Sequence, residues 1–339
     1  MLNLNNKFFY QNGSMIFPQP FEEKKSLMNN FLFKSDIAAL QKVCDKLFNI
    51  PSNQGVYYQP ILPAVMVTFA KNKQCGPTSL PYSEWGTVAY NEVIISFFVV
   101  RIKKMGAVWI AEKVSACVPY IFVDDPIAMV LGREIYGMPK IMSTVAVPVY
   151  PSSAPAPFTL ETISTPKLQN GLPFKNMQIA AINQINSDNT KPAQEWTDVG
   201  LALDAMKNIV FGGGHIEIPG LSLVFEVVDL LLEKEMSFAS LRQLRSIGNP
   251  DEAVHKAVIE FGTKMMKFNA GGILNGTFQL KLPQNGLFPI AEDLGISDGQ
   301  LAESAFWIDW DFLFQTGTEI WSNREPEKTT FFQRLSKLF

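Results

Sequence analysis

Few side chains in this 339-residue sequence are spaced for chemistry, and most candidates fall quickly. His215 and His255 lie far apart, without the His-Glu-x-x-His spacing or the cysteine partners of a metal site. His215 follows Gly212-Gly213-Gly214, but no Gly-Lys-Ser/Thr ending completes a phosphate cradle, and a turn into a short strand from His215 to Ile218 accounts for it better. Cys44, Cys75 and Cys117 form no Cys-x-x-Cys pair. There is no Gly-x-Ser-x-Gly elbow. The acid pairs Asp124-Asp125 and Asp309 with Asp311 have no glycosidase spacing, and the second pair shares one face of a strand. What remains is Lys140. It is the only formal charge between Pro139 and Pro151, among Ile141, Met142, Val145, Val147 and Val149, where an ammonium is costly unless the site uses it. A desolvated lysine can attack a ketone and form a Schiff base, whose iminium accepts an electron pair when a carbon–carbon bond breaks. The competing account is a surface lysine whose stem lies along a sheet. Neither a metal nor an organic cofactor is expected.

The segment that delivers Lys140 is legible. Asp125 suits a helix N-cap, Pro126 the first helical position, and Gly137 the residue past the end. Arg133 and Glu134 fall in the last turn of that helix, where they either fix the turn at Pro139 or take part in the chemistry. Tyr136, four residues before Lys140, either reaches a pocket rim as a hydrogen-bond donor or packs in the core.

Around this segment the sequence is rich in strands. Val65 to Phe69, Val88 to Val100, Val108 to Ala111 and Val114 to Val123 are β-branched and aromatic, with a turn signal at Lys103-Lys104-Met105-Gly106. No helix separates successive strands, which favours an antiparallel meander or barrel over a parallel sheet. A helix begins near Asp36 with Ile37, Leu40, Val43, Cys44, Leu47 and Phe48 on one face, making Cys44 a core residue. Another strand is expected from Lys140 or Ile141 to Val149. Further helices are expected at 197–210, 224–247 and 250–260, and strands return at 276–282 and 303–314. The whole chain, 1–339, then reads as one unit with a helical insertion at 183–267. The tail from Phe331 to Phe339 is a short basic amphipathic segment, suited to docking on this protein or a sister subunit.

Composition bounds the rest. Hydrophobic residues at 47% suffice for a large core, and charged residues are only 18%. A net charge of -3 and a pI near 5.6 argue against nucleic acid as a partner. No apolar run reaches the ~18 residues of a membrane span. Unpaired cysteines and the absence of a signal-peptide pattern lead us to expect a cytoplasmic protein.

The stretch Gly132-Arg133-Glu134-Ile135-Tyr136-Gly137-Met138-Pro139-Lys140 resembles the Gly-Arg-Glu signature, with its lysine following Pro, of the acetoacetate decarboxylase family. Asp124 upstream and Tyr90-Asn91-Glu92 look like further parts of that pattern, and the likeness extends over about 26–149, returning more weakly over 268–321. The resemblance implies a mainly β (α+β) fold, a closed antiparallel cone-shaped β-barrel with peripheral and inserted helices. It implies Lys140 as the Schiff-base lysine and Glu92 as a catalytic acid, with Tyr90, Tyr136, Arg133 and Glu134 as candidates around the substrate. The implied partner is a small keto acid, the implied reaction decarboxylation, and the implied assembly a homo-oligomer. Three features depart from the pattern. The family's second lysine is Ile141 here, and its pocket arginine falls at Ser26, with Lys24 and Lys25 nearby; no acid stands at Val67 or Thr68. These departures admit aldolase or dehydratase chemistry on the same lysine, or a barrel that only binds a hydrophobic ligand.

Overall fold

Alternating apolar residues dominate the sequence after residue 60, and in the computed structural model they form long strands that close on one another. The structure describes residues 16–53, 55–105, 108–148, 156–186, 194–212, 215–217, 224–226 and 235–324. The tail from Phe331 to Phe339 and part of the proline-rich loop after Pro151 lie outside these residues.

The main sheet is built from β1 (Phe21–Lys34), β2 (Tyr57–Pro60), β3 (Ala64–Pro77), β4 (Val88–Met105), β5 (Val108–Val123) and β6 (Lys140–Met142). To these it adds β10 (Gln194–Trp196), β13 (Glu235–Arg245), β14 (Ala253–Ile273), β16 (Ser304–Phe314) and β17 (Thr318–Ser322). Pairing runs β4-β3-β1-β16-β14-β13-β5 and returns from β5 to β4, so the hydrogen-bond ladder closes into a barrel. The expectation of an antiparallel barrel needs one correction. The β13–β5 seam is parallel and rests on Phe238 opposite Ala116 and Ala239 opposite Cys117. Side chains reinforce it, with Ser115 Oγ donating to Ser237 Oγ at 3.0 Å.

Strand alternation sorts residues between two cores. Odd-numbered residues of β4, Val93, Ile95, Phe97 and Val99, point outward with Phe31, Phe33, Val67 and Phe69. They pack on Phe158, Leu160, Ile182 and Leu280 of a second sheet made of β7 (Thr144–Ala146), β8 (Phe158–Ser164), β9 (Lys175–Asn186) and β15 (Thr277–Lys281). Cys44, at the end of α1 (Ile37–Cys44), joins this outer core. The expected strand to Val149 is broken at Ser143 into β6 and β7, which belong to different sheets.

Among the described residues, the expected helices at 224–247 and 250–260 are replaced by strands over 224–226, 235–245 and 253–260, while 227–234 lie outside the described residues. Among the described residues of 183–267 only α3 (Val199–Phe211) is helical, while β13 and β14 are strands of the barrel wall, so the described part of that stretch is mostly sheet. Its leucines, alanines, lysines and glutamates favour helix by fractions of a kcal/mol each, a bias that tertiary pairing overrides. β14 is bonded to β13, β16 and β17, and Pro250 lies in a hairpin turn closed by Ser246 N–H to the Glu252 carbonyl at 2.8 Å. His255 is accordingly a strand residue, buried, with Nε2 3.3 Å from Glu319. The short strands β11 (His215–Glu217) and β12 (Val224–Glu226) pair with each other, so His215 begins a strand, while Gly213, Gly214 and Ile218 lie outside the described residues. Among the described residues no helix is long and apolar enough to cross a membrane.

Candidate active site

Lys140 is placed by a chain of local devices. Helix α2 (Pro126–Glu134) starts where Asp125 Oδ1 accepts from the Ala128 N–H at 2.8 Å, with Pro126 in its first turn. After the helix the chain turns back at Gly137, whose φ of +68° is open to glycine. A β-carbon there would also meet the Arg242 backbone at 2.7 Å, so the turn lies flat on β13. Met138 N–H returns to the Gly132 carbonyl at 2.9 Å, and Ser240 Oγ donates to the Tyr136 carbonyl. Arg133 Nη1 donates to the Lys140 carbonyl at 3.0 Å, and β6 then pairs in parallel with β5. On this short strand Lys140 points to the barrel interior, whereas Ile141 packs against the outer core. A lysine in place of Ile141 would therefore not stand beside the Lys140 amine.

The amine is buried, with Lys140 only 6% and Glu92 4% exposed. Lys140 Nζ donates to Glu92 Oε2 at 3.0 Å. The other oxygen of Glu92 accepts from Asn72 Nδ2 at 3.2 Å, and Asn72 in turn accepts from Ser26 Oγ at 2.5 Å. The Tyr90 ring centroid lies 5.4 Å from Nζ, within cation–π range. Tyr90 donates its hydroxyl to Glu23 Oε1. Between Tyr90 and Glu92, Asp124 accepts from both the backbone and side-chain N–H of Asn91, at 2.7 and 2.8 Å, and holds β4 to the start of α2.

Glu23 is a second buried acid. Burial first, and then the nearby charge of Glu92, push its carboxyl up to about 8, with Tyr90, Lys140 and Cys75 offsetting part of the effect. Its Oε2 has no nitrogen or oxygen partner. Burial and the neighbouring Glu23 likewise push the Tyr90 hydroxyl and the Cys75 thiol up. A carboxyl raised this far keeps its proton near pH 7, so Glu23 can donate a proton beside the Lys140–Glu92 contact.

The sequence candidates separate in space. Lys140, Glu92 and Tyr90 converge, and Tyr136 lines the same small cavity while its hydroxyl donates to the Gln315 carbonyl at 3.1 Å. Arg133 and Glu134 are exposed and line neither cavity; Arg133 acts on the Lys140 backbone. Sequence reasoning missed Glu23 and Asn72. The cause is a bulge in β1 between Glu23 and Ser26, where Lys25 takes φ +53°. It turns Lys24 and Lys25 outward and leaves Glu23 and Ser26 both facing in, so neither lysine supplies a pocket cation. A run of four charges, Glu22 to Lys25, hides this in the sequence.

Two cavities flank the pair. The smaller, about 10 Å³ and room for about one water, is lined by Glu23, Cys75, Tyr90, Gly132, Tyr136 and Lys140 among others. The larger, about 180 Å³, occupies the barrel lumen and is apolar.

Comparison with known proteins agrees with this architecture. The acetoacetate decarboxylase family model matches residues 9–171, a span that contains Glu23, Glu92 and the Gly132 to Lys140 segment. An acetoacetate decarboxylase structure is similar at 15% identity and TM-score 0.55, covering 91% of this chain and 93% of its own. The acetoacetate decarboxylase of Legionella pneumophila is similar at 13% identity and TM-score 0.55, covering 92% and 94%. The enduracididine biosynthesis enzyme MppR, in complex with pyruvate, is similar at 14% identity and TM-score 0.54, covering 90% and 91%. No curated protein matches by sequence. The resemblance read from the sequence is thereby carried by the family model over 9–171, and the acetoacetate decarboxylase-like fold extends over nine-tenths of the chain.

Proposed function

We propose that this acetoacetate decarboxylase-like chain is a Schiff-base lyase that decarboxylates a β-keto acid through Lys140. The observation that carries the reading is the buried amine 3.0 Å from Glu92 with a second, neutral carboxyl on the other side of Tyr90. Glu92 accepts the ammonium proton, and the freed amine attacks the ketone carbon to give a carbinolamine. Loss of water leaves an iminium. The bond to the carboxylate then breaks, carbon dioxide departs, and the electron pair moves into the iminium as an enamine. Glu23, protonated below about 8, returns a proton to the enamine carbon. Water adds to the resulting iminium and releases the ketone and the lysine. Among the described residues neither cavity is lined by arginine, and a substrate carboxylate that meets no guanidinium there is disfavoured as a charged ground state relative to neutral carbon dioxide.

A second reading, aldol or dehydration chemistry on an oxo acid, draws on MppR, a structural neighbour seen with the condensation product of pyruvate and an aldehyde. Borohydride trapping with acetoacetate, pyruvate and a longer β-keto acid, followed by peptide mass spectrometry, tests the lysine. An adduct on Lys140 is expected, and none with any of the three would reject both readings. Carbon dioxide release separates decarboxylation from the aldol route. We infer that a cytoplasmic homo-oligomer is the working form, and size-exclusion chromatography with light scattering checks its assembly.

A further inference from the structure

The inward faces of three strands run without a break from the lysine site into the lumen. On β4 the sequence of inward residues is Glu92, Ile94, Ser96 and Phe98; on β1 it is Ser26, Met28 and Asn30; on β3 it is Asn72, Ala70, Thr68 and Met66. Each step of two residues is about 7 Å, so the 180 Å³ cavity begins one step from the Glu92 carboxylate that holds the amine. Interiors of folded proteins hold few voids larger than a water, and a cavity of about 150 Å³ lined by apolar side chains takes up benzene. Helix α3 packs over the end remote from Lys140, placing Leu203, Met206 and Val210 on the cavity wall.

The chemistry of the wall is selective. Among the described residues it contains no lysine, arginine or histidine, and the ionisable group there is Glu235, which accepts from Gln315 Nε2 at 3.1 Å. Asn30 and Thr68 satisfy each other, Thr68 Oγ1 donating at 2.8 Å. Met28, Met66, Met206, Met236 and Met265 all contribute, and thioether chains adapt to irregular apolar shapes. The cavity on the other side of the amine holds about one water, so no bulky substituent fits there.

We propose that the lumen is the subsite for an apolar substituent on the substrate carbonyl. The substrate class is therefore a β-keto acid bearing a phenyl ring or an alkyl chain of about benzene's bulk, with acetoacetate too small to fill the site. This rests on the assignment of Lys140 as the nucleophile, and the test below separates the two.

The first arm compares kcat/KM for carbon dioxide release from acetoacetate, 3-oxooctanoate and benzoylacetate. The larger two are expected to exceed acetoacetate by at least roughly tenfold, since each methylene in an apolar pocket is worth that order. Ser96→Phe and, separately, Met206→Trp narrow the lumen and are expected to reduce the large-to-small ratio by roughly tenfold or more; the ratio is read because a general loss of folded protein leaves it unchanged. The second arm uses toluene, which has no carbonyl. It is expected to raise the thermal midpoint of wild type and of Lys140→Ala alike, and to do so less in Ser96→Phe. Equal kcat/KM for all three acids with no response to toluene would overturn the lumen assignment. A toluene response without a borohydride adduct at Lys140 would uphold the lumen site while rejecting the lysine chemistry.

Discussion

Gly132 and Lys140 are in such close contact that the lysine stem occupies the space a side chain at 132 would need. A β-carbon on Gly132 would stand 2.6 Å from Lys140 Cδ and 2.8 Å from Cε. The glycine of the Gly-Arg-Glu segment is thus a notch in α2 through which the Lys140 stem reaches the barrel interior.

Gly132→Ala should keep the fold, since alanine favours helix over glycine by about 1 kcal/mol, yet displace the amine. Misplacement on the order of 1 Å costs roughly 10²-fold in rate. Trapping yield at Lys140 and kcat are expected to fall together while the circular dichroism spectrum is kept; an active Gly132→Ala enzyme would contradict the notch.

As the proposed proton donor, Glu23 serves only while protonated, so activity should decline as pH rises through about 8. Glu23→Gln removes the donor and is expected to lower kcat by about 10²-fold, the usual scale for a positioned acid. Its residual activity should lack the alkaline decline. A pH–rate profile with the same decline in the variant would reassign the titrating group.

The same shift has a stability consequence. Below its ordinary value of 4.5 the Glu23 carboxyl is protonated in both folded and unfolded chains and contributes no difference. Between 4.5 and about 8 the unfolded chain loses the proton and the folded chain keeps it, so stability from this group is lost as pH rises. Glu23→Gln should therefore raise the melting temperature relative to wild type more at pH 8 than at pH 5, read by calorimetry.

Removing one member of the buried ion pair leaves the other uncompensated. Lys140→Ala is expected to cost about 3 kcal/mol or more in urea unfolding. Lys140→Met combined with Glu92→Gln should recover most of that loss, because a neutral pair of similar volume needs no counter-charge. Equal stability of the single and double variants would argue against coupling.

Asp124→Ala frees both donors of Asn91 and should cost roughly 1.5–3 kcal/mol, as for hydrogen bonds to a charged group. Denaturant midpoints measure it. An unchanged midpoint would show that β4 and α2 are held together by packing alone.

The sequence displays the local half of this design. Asp125, Pro126 and Gly137 act over one to four residues, and each cap and turn is found where its residue type points. The strands before residue 123 also carry their alternation openly. Glu23 and Asn72 are different, because their meeting with Glu92 depends on β1 and β3 pairing in one register and on a bulge that lets Glu23 and Ser26 face the same way. The stretch from Glu235 onward differs from its expected helices for a related reason. Glu235 to Ile273 has helix-compatible composition, and only closure against β16 and β5 makes it sheet. Long-range pairing, unlike capping, leaves no short-range mark.

The three-residue strand that carries Lys140 sends its next side chain, Ile141, into the outer core against the second sheet. Lys140 therefore sits on a partition shared by two compartments. Val145, Phe158 and Leu160 pack in the same outer core as Ile141, so the proposed chemistry leaves the strand's far side open to adjustment by residues that never meet the lumen.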